Sequence, residues 1–264
     1  MRNAPFPPEL KHILRGASFK MDTIGLSDSQ VLLFADKVLK LQPDSPEART
    51  EYVMMTWLSN KLPVPQCLYH TVAEGTDYLL MSKVEGAMAC EDAAMRQPEL
   101  LVSSLAGILM QLWRIDVSDC PVSWDLDSKL SLARTAVERG TVDLDNVEPD
   151  TFGHGGFDNP RQLLNWLESH KPGMDPVLSH GDFCLPNIFL KNGRLSGLID
   201  LGRSGIADRW MDIAICWRSL RDNYSGAYGG RVYPDFDPNS LFTALGIEPN
   251  WEKIRYYLLL DELF

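Results

Sequence analysis

Hydrophobic positions in the first third of this 264-residue chain change from alternation to helical spacing and back, so that third reads as mixed sheet and helix. Gln30 to Phe34 and Asp36 to Leu41 read as strands of a meander, with Lys40 on the second, and Gln66 to Val72 and Tyr78 to Met81 as two more. Glu9 to Leu14 reads as a short helix. Pro46 to Leu58 reads as a longer one, with Asp44 and Ser45 as cap candidates and Pro46 in the first turn. Periodicity is lost over Lys83-Val84-Glu85-Gly86, which predicts a hinge dividing residues 1–84 from 85–264. Beyond it the pattern is mainly helical: Leu101, Leu105, Ile108, Leu109 and Leu112 share one face, and Trp210, Ile213, Ala214 and Trp217 another. Both stripes read as core. Thr141 to Asp150 and Ser225 to Phe236 read as loops, and Tyr256 to Leu260 leads into a last helix ending Asp261-Glu262-Leu263-Phe264. The expected class is α+β, in two lobes: a small β-rich one and a larger, mainly helical one.

Composition adds little until charge is divided by lobe. With 45% hydrophobic and 23% charged residues, this is an ordinary globular composition. The start lacks a leader-like apolar stretch and no run is long enough to cross a bilayer, so a cytoplasmic location and no membrane partner are expected. The five cysteines are scattered without C-x-x-C spacing, which argues against disulfides or zinc; Cys184 reads as packing. Residues 1–84 carry 9 basic and 9 acidic side chains and the remainder 16 and 27, so the whole net charge of −11 lies in the second part. That sign disfavours nucleic acid. The excess acid is either solvated surface or attracts a cationic partner.

The chemistry is concentrated in His180-Gly181-Asp182-Phe183-Cys184-Leu185-Pro186-Asn187 and in Asp200-Leu201-Gly202. These keep the kinase spacings H-x-D-x-x-x-x-N and D-x-G, with Gly181 in place of the protein-kinase arginine. Asn192-Gly193 between apolar runs predicts a hairpin. If Lys191 pairs with Arg194, Asn187 pairs with Leu198, and Asp200 lies roughly 7 Å further along at about 3.3 Å per residue. Asn187 and Asp200 then share the hairpin mouth as oxygen ligands for Mg²⁺, and Asp182 is left to orient or accept the proton of an attacking hydroxyl. Lys40 matches the strand lysine that holds nucleotide phosphates, with Glu51 on the next helix as its partner. The Gly25 to Ser29 turn lies where a phosphate-covering loop belongs. With Gly181 for arginine and little room for an activation segment after Asp200, a small hydroxyl acceptor is favoured over a protein. Asp212 reads as a brace for the catalytic loop.

These motifs resemble the aminoglycoside phosphotransferase family, in particular its 3′-type kinases. Met54-Met55-Thr56-Trp57-Leu58, Lys61-Leu62-Pro63-Val64-Pro65, Ile199 to Gly205 and the terminal Leu260-Asp261-Glu262-Leu263-Phe264 carry the likeness over nearly the full chain. The resemblance implies a bilobal protein-kinase-like fold, ATP with Mg²⁺, and phosphorylation of a sugar 3′-hydroxyl. By position, Asp182 is similar to the catalytic carboxylate, Asn187 and Asp200 to the metal ligands, Lys40 and Glu51 to the phosphate-holding pair, Ser27 to the covering-loop serine, and the Ser82 and Val84 backbone to the adenine hinge. Asp145, Glu148, Asp222, Asp261, Glu262 and the Phe264 carboxylate look like the groups that face drug ammonium groups. Arg203 either contacts phosphate or braces its loop. Val38 stands where some members carry an adenine-stacking aromatic, and Leu185 where some place an acid. The implied partners are a nucleotide and a small cationic aminoglycoside, with the chain a monomer or weak dimer. A kinase of choline or an amino sugar, and an inactive nucleotide-binding module, are the alternatives.

Overall fold

The computed structural model describes residues 6–21, 29–145 and 147–264. After a short helix, α1 (Pro8–Ile13), five strands form one antiparallel sheet: β1 (Lys20–Met21), β2 (Gln30–Leu33), β3 (Lys37–Pro43), β4 (Cys67–Ala73) and β5 (Thr76–Ser82), in the order β1-β2-β3-β5-β4. Alternation along β3 decides what each face does. Leu39 and Leu41 turn to a small core with Leu10, Leu32 and Leu80, so Lys40 and Gln42 turn the other way, toward helix α2 (Pro46–Leu58). That helix starts where the sequence predicts, because the Ala48 N–H donates to Ser45 Oγ at 3.1 Å and Pro46 occupies the first turn. Its Met54, Met55 and Leu58 enter the larger core.

The next strand, β6 (Ala87–Met88), belongs to a different sheet, on the far side of which lie β8 (Ile188–Lys191) and β9 (Arg194–Leu198) after the intervening elements α3 (Asp92–Met95), α4 (Pro98–Trp113), α5 (Leu126–Arg139), α6 (Pro160–Ser169) and β7 (Pro176–Ser179). The chain then runs through β10 (Gly205–Asp208), α7 (Arg209–Ser225), α8 (Ser240–Leu245) and α9 (Trp251–Asp261). The α+β class expected from the pattern is the one observed. Helix α4 buries Leu101, Leu105, Ile108, Leu109 and Leu112 as its stripe predicts. Helix α7 does not follow its stripe. Residues 211 to 216 are all buried while Trp210 and Trp217 stay half-buried, because α7 packs against α4, α9 and β7 and so has no single core face. The antiparallel pair β7–β10, with Ser179 opposite Gly205, is too short and too buried to show alternation in the sequence. Among the described residues no helix is long and apolar enough to cross a membrane.

The β8–β9 hairpin corrects the expected register. Lys191 does pair with Arg194, but Leu198 lies opposite Ile188, not Asn187. A bulge places Leu190 opposite Leu195 and Phe189 opposite Gly197, so Ser196 is the extra residue. Its hydroxyl donates to the Glu85 carbonyl at 2.5 Å, and Lys191 pairs with the Glu85 carboxylate at 2.6 Å, which ties the segment after β5 to this hairpin.

Candidate active site

The loop after β7 is held from behind. The buried Asp212 carboxylate accepts the His180 N–H at 2.8 Å and the Gly181 N–H at 2.9 Å. Burial pushes its carboxyl up, and these two donors act against that shift. His180, itself buried, donates from Nε2 to the Ile199 carbonyl at 2.9 Å, and its Nδ1 faces the Asp182 N–H at 3.3 Å, a bonding pattern that assigns the Nε2–H tautomer. The imidazole thus links the loop to the residue before Asp200. Gly181 has φ +84, and a Cβ there would stand 1.9 Å from the Arg203 carbonyl oxygen. Glycine replaces the kinase arginine at this position for lack of space.

Asn187 sits in a single 3₁₀ turn, Leu185–Asn187, whose first N–H donates to Ser219 Oγ at 2.9 Å. Its side-chain N–H₂ donates to the Asp182 carboxylate at 2.8 Å and to the Asp182 carbonyl at 3.0 Å. Its carbonyl accepts from Ile199 N–H at 3.1 Å, which brings Asp200 to the same place. Asp200 adopts the left-handed conformation, φ 57, rare for a residue other than glycine, and its side chain is 47% exposed. Lys40 reaches it across the cleft at 2.7 Å and also pairs with Glu51 at 2.9 Å. Burial alone would lower the Lys40 pKa, but Glu51 and Asp200 more than offset it, so the ammonium is firmly held. Gln42 donates to the same Glu51 oxygen at 3.2 Å, a support that alternation on β3 implies and the motifs do not.

Hard oxygen donors of this kind fit a divalent cation bound jointly with phosphates. Asn187 spends its amide hydrogens on Asp182, so its amide oxygen is the atom left for a metal, and Asp200 offers an accessible carboxylate. No cluster of three His, Cys, Asp or Glu that could cage a metal occurs among the described residues. Burial, then Asp182, push the Cys184 thiol up, which disfavours the thiolate a nucleophile needs.

The remaining residues singled out in the sequence divide by location. Ser27 lies outside the described residues. The Ser82 N–H donates to the Gln66 carbonyl at 2.9 Å, and Val84 follows at the exit of the sheet. Asp145 is exposed, its N–H donating to Asp143 Oδ1 at 3.0 Å. Glu148, Asp222, Asp261 and Glu262 come together, but with arginines among them that the motifs do not mark. Arg221 pairs with Glu148 at 2.5 Å and Asp222 at 2.6 Å; Arg218 pairs with Asp261 and lies 4.0 Å from Glu262. Their three-residue spacing puts both on one face of α7, but no sequence signal places Glu148 and Asp261 opposite that face. Burial alone would raise Asp261, yet Arg218 and Arg203 bring it below the usual carboxylate range; Glu262 is pushed up to about 7, chiefly by burial. Arg203 braces: Nε donates to Glu47 at 2.9 Å and Nη1 to Asp261 at 3.3 Å, joining α2 to α9. Its guanidinium lies 5.5 Å from the ring centroid of Phe264, which is partly exposed.

Comparison with known proteins identifies the family and the fold. The APH family, the phosphotransferase enzymes, matches residues 18–255. An aminoglycoside 3′-phosphotransferase of Enterococcus faecalis is 40% identical over 269 aligned residues, covering 97% of each protein, and one of Staphylococcus aureus is 38% identical at the same coverage. The solved structure of aminoglycoside phosphotransferase APH(3'')-Id from Streptomyces rimosus superposes with a TM-score of 0.80 at 26% identity, covering 96% of this chain and 95% of that one. A second structure of that enzyme, in complex with ADP and streptomycin, superposes with a TM-score of 0.79.

Proposed function

The chain belongs to the phosphotransferase enzyme family, and we propose that it transfers the γ-phosphoryl group of ATP to the 3′-hydroxyl of kanamycin- and neomycin-class aminoglycosides, conferring resistance to them. The observation that carries this reading is the meeting of Lys40, held by Glu51, with Asp200, beside the bonded pair Asp182–Asn187. Lys40 binds nucleotide phosphate oxygens. Asn187 and Asp200 hold Mg²⁺, which when bound neutralises charge on the phosphates. Asp182, oriented by the Asn187 amide, accepts the hydrogen bond of the 3′-hydroxyl and takes its proton as the oxygen attacks. Residues 1–84 serve as the nucleotide lobe and 85–264 as the catalytic and acceptor lobe, with the Ser82 and Val84 backbone on the adenine. The acidic groups Asp145, Glu148, Asp222, Asp261, Glu262 and the terminal carboxylate of Phe264 receive the ammonium groups. Arg203 supports this wall by tying Glu47 to Asp261. The enzyme acts in the cytoplasm, where ATP is available.

The test is turnover of kanamycin with MgATP, the product located by NMR. Phosphate on the 3′-oxygen is expected. No turnover, or equal turnover of an aminoglycoside lacking the 3′-hydroxyl, would overturn the reading.

A further inference from the structure

A cavity of about 190 Å³ lies beside the phosphate site, sharing Glu47, Arg203, Asp261 and Phe264 with the wall described above while its interior has no role there. Its walls are mostly apolar: Trp124, Leu132, Met211, Ile215, Leu260 and the ring of Phe264. One side is closed by the start of α2 and by Gly202–Arg203, two to three residues past Asp200. Lys129 of α5 also lines it, and the residue is only 5% exposed. Its ammonium lies 5.4 Å from the Trp124 ring centroid and 5.9 Å from that of Phe264. Among the described residues no carboxylate comes within ion-pair distance of it. Asp261, Asp212 and Glu47 act on it only from further away, and burial followed by Arg203 brings its pKa down to about 8. Near neutral pH it is a buried cation with no carboxylate in direct contact, a costly arrangement that the more distant acids and the aromatic faces offset only in part.

The lining also states what it rejects. Arg203 is taken up by Glu47 and Asp261, which leaves Lys129 as the lining charge without a direct partner, and the apolar walls disfavour a strongly hydrated phosphate. We propose that this cavity is a binding site for a small aromatic carboxylate, its ring between Trp124 and Phe264 and its carboxylate on the Lys129 ammonium. The size suits one ring, since an apolar cavity of roughly 150 Å³ accepts benzene. The inference is independent of which hydroxyl the enzyme phosphorylates.

Calorimetric titration of the full chain with benzoate at neutral pH tests it, with benzyl alcohol and benzylamine as neutral and cationic probes of the same shape. Expected are saturable one-to-one benzoate binding, at least tenfold weaker benzyl alcohol, and no detectable benzylamine. Lys129→Met is expected to weaken benzoate at least tenfold. Leu132→Trp, which adds bulk where a wall residue is 38% exposed, is expected to weaken all ring probes and serves if the lysine variant does not fold. Absence of saturable benzoate binding, equal binding of the three probes, or indifference to both variants would each overturn the proposal.

Discussion

The 2.8 Å bond from the Asn187 amide to the Asp182 carboxylate fixes the orientation of the proposed base. Asp182→Ala is expected to lower kcat by roughly 10²- to 10⁴-fold, the usual worth of a positioned base, with ATP affinity nearly unchanged. Steady-state kinetics beside nucleotide titration check this; appreciable remaining kcat would remove the role. Glu262 supports a prediction in pH. Its folded pKa of about 7 exceeds the ordinary 4.5, so between those values the folded state holds more protons than the unfolded one, and stability is lost as pH rises through that window. Thermal melts of the wild type, measured against Glu262→Gln, should therefore lose ground steadily from about pH 4.5 to 7 and level off above. A flat difference would contradict the assignment. The role of His180 was not legible beforehand, because a motif histidine's bond to Ile199 joins residues 19 apart.

Hairpin β8–β9 shows how one element sets the site. Asn-Gly predicts the turn and the pairing of Lys191 with Arg194, but the Ser196 bulge lies in the middle of a strand with no marker in composition, so the register beyond it is shifted by one residue from the one the turn implies. The bulge leaves Gly197 facing Val84, whose Cγ1 would lie 2.3 Å from an added Cβ. Gly197→Ala should push the segment after β5 away from the hairpin, raising KM for ATP several-fold while lowering Tm, a joint change that kinetics and a melt can detect. Unchanged KM would show that this contact does not transmit to the nucleotide. Helix α2 is a simpler case. Its Ser45 cap and Pro46 start are local, which is why its limits were legible, and Ser45→Ala should cost about 1 kcal/mol in chemical denaturation.

Across the whole molecule, charge is arranged in pairs that the net value of −11 conceals. Glu148, Asp222 and Asp261 are each bonded to an arginine of α7, so the acid-rich lobe presents these carboxylates partly neutralised. Arg221→Ala should free Glu148 and Asp222 and lower KM for kanamycin while steepening its rise with ionic strength; an unchanged salt dependence would mean those two carboxylates do not meet the drug. By itself, the sequence determined the α+β class, most strands and helices, and the spacing of Asp182, Asn187, Asp200 and Lys40, because alternation, caps, turn residues and short-range spacing act between near neighbours. Only the tertiary structure decided that Lys40 bridges Glu51 and Asp200, that Arg218 and Arg221 occupy the acidic cluster, and that Lys129 is buried beside an apolar cavity. Those contacts join residues distant in the chain, and their distances depend on how helices and sheets pack around α7, which no local pattern encodes.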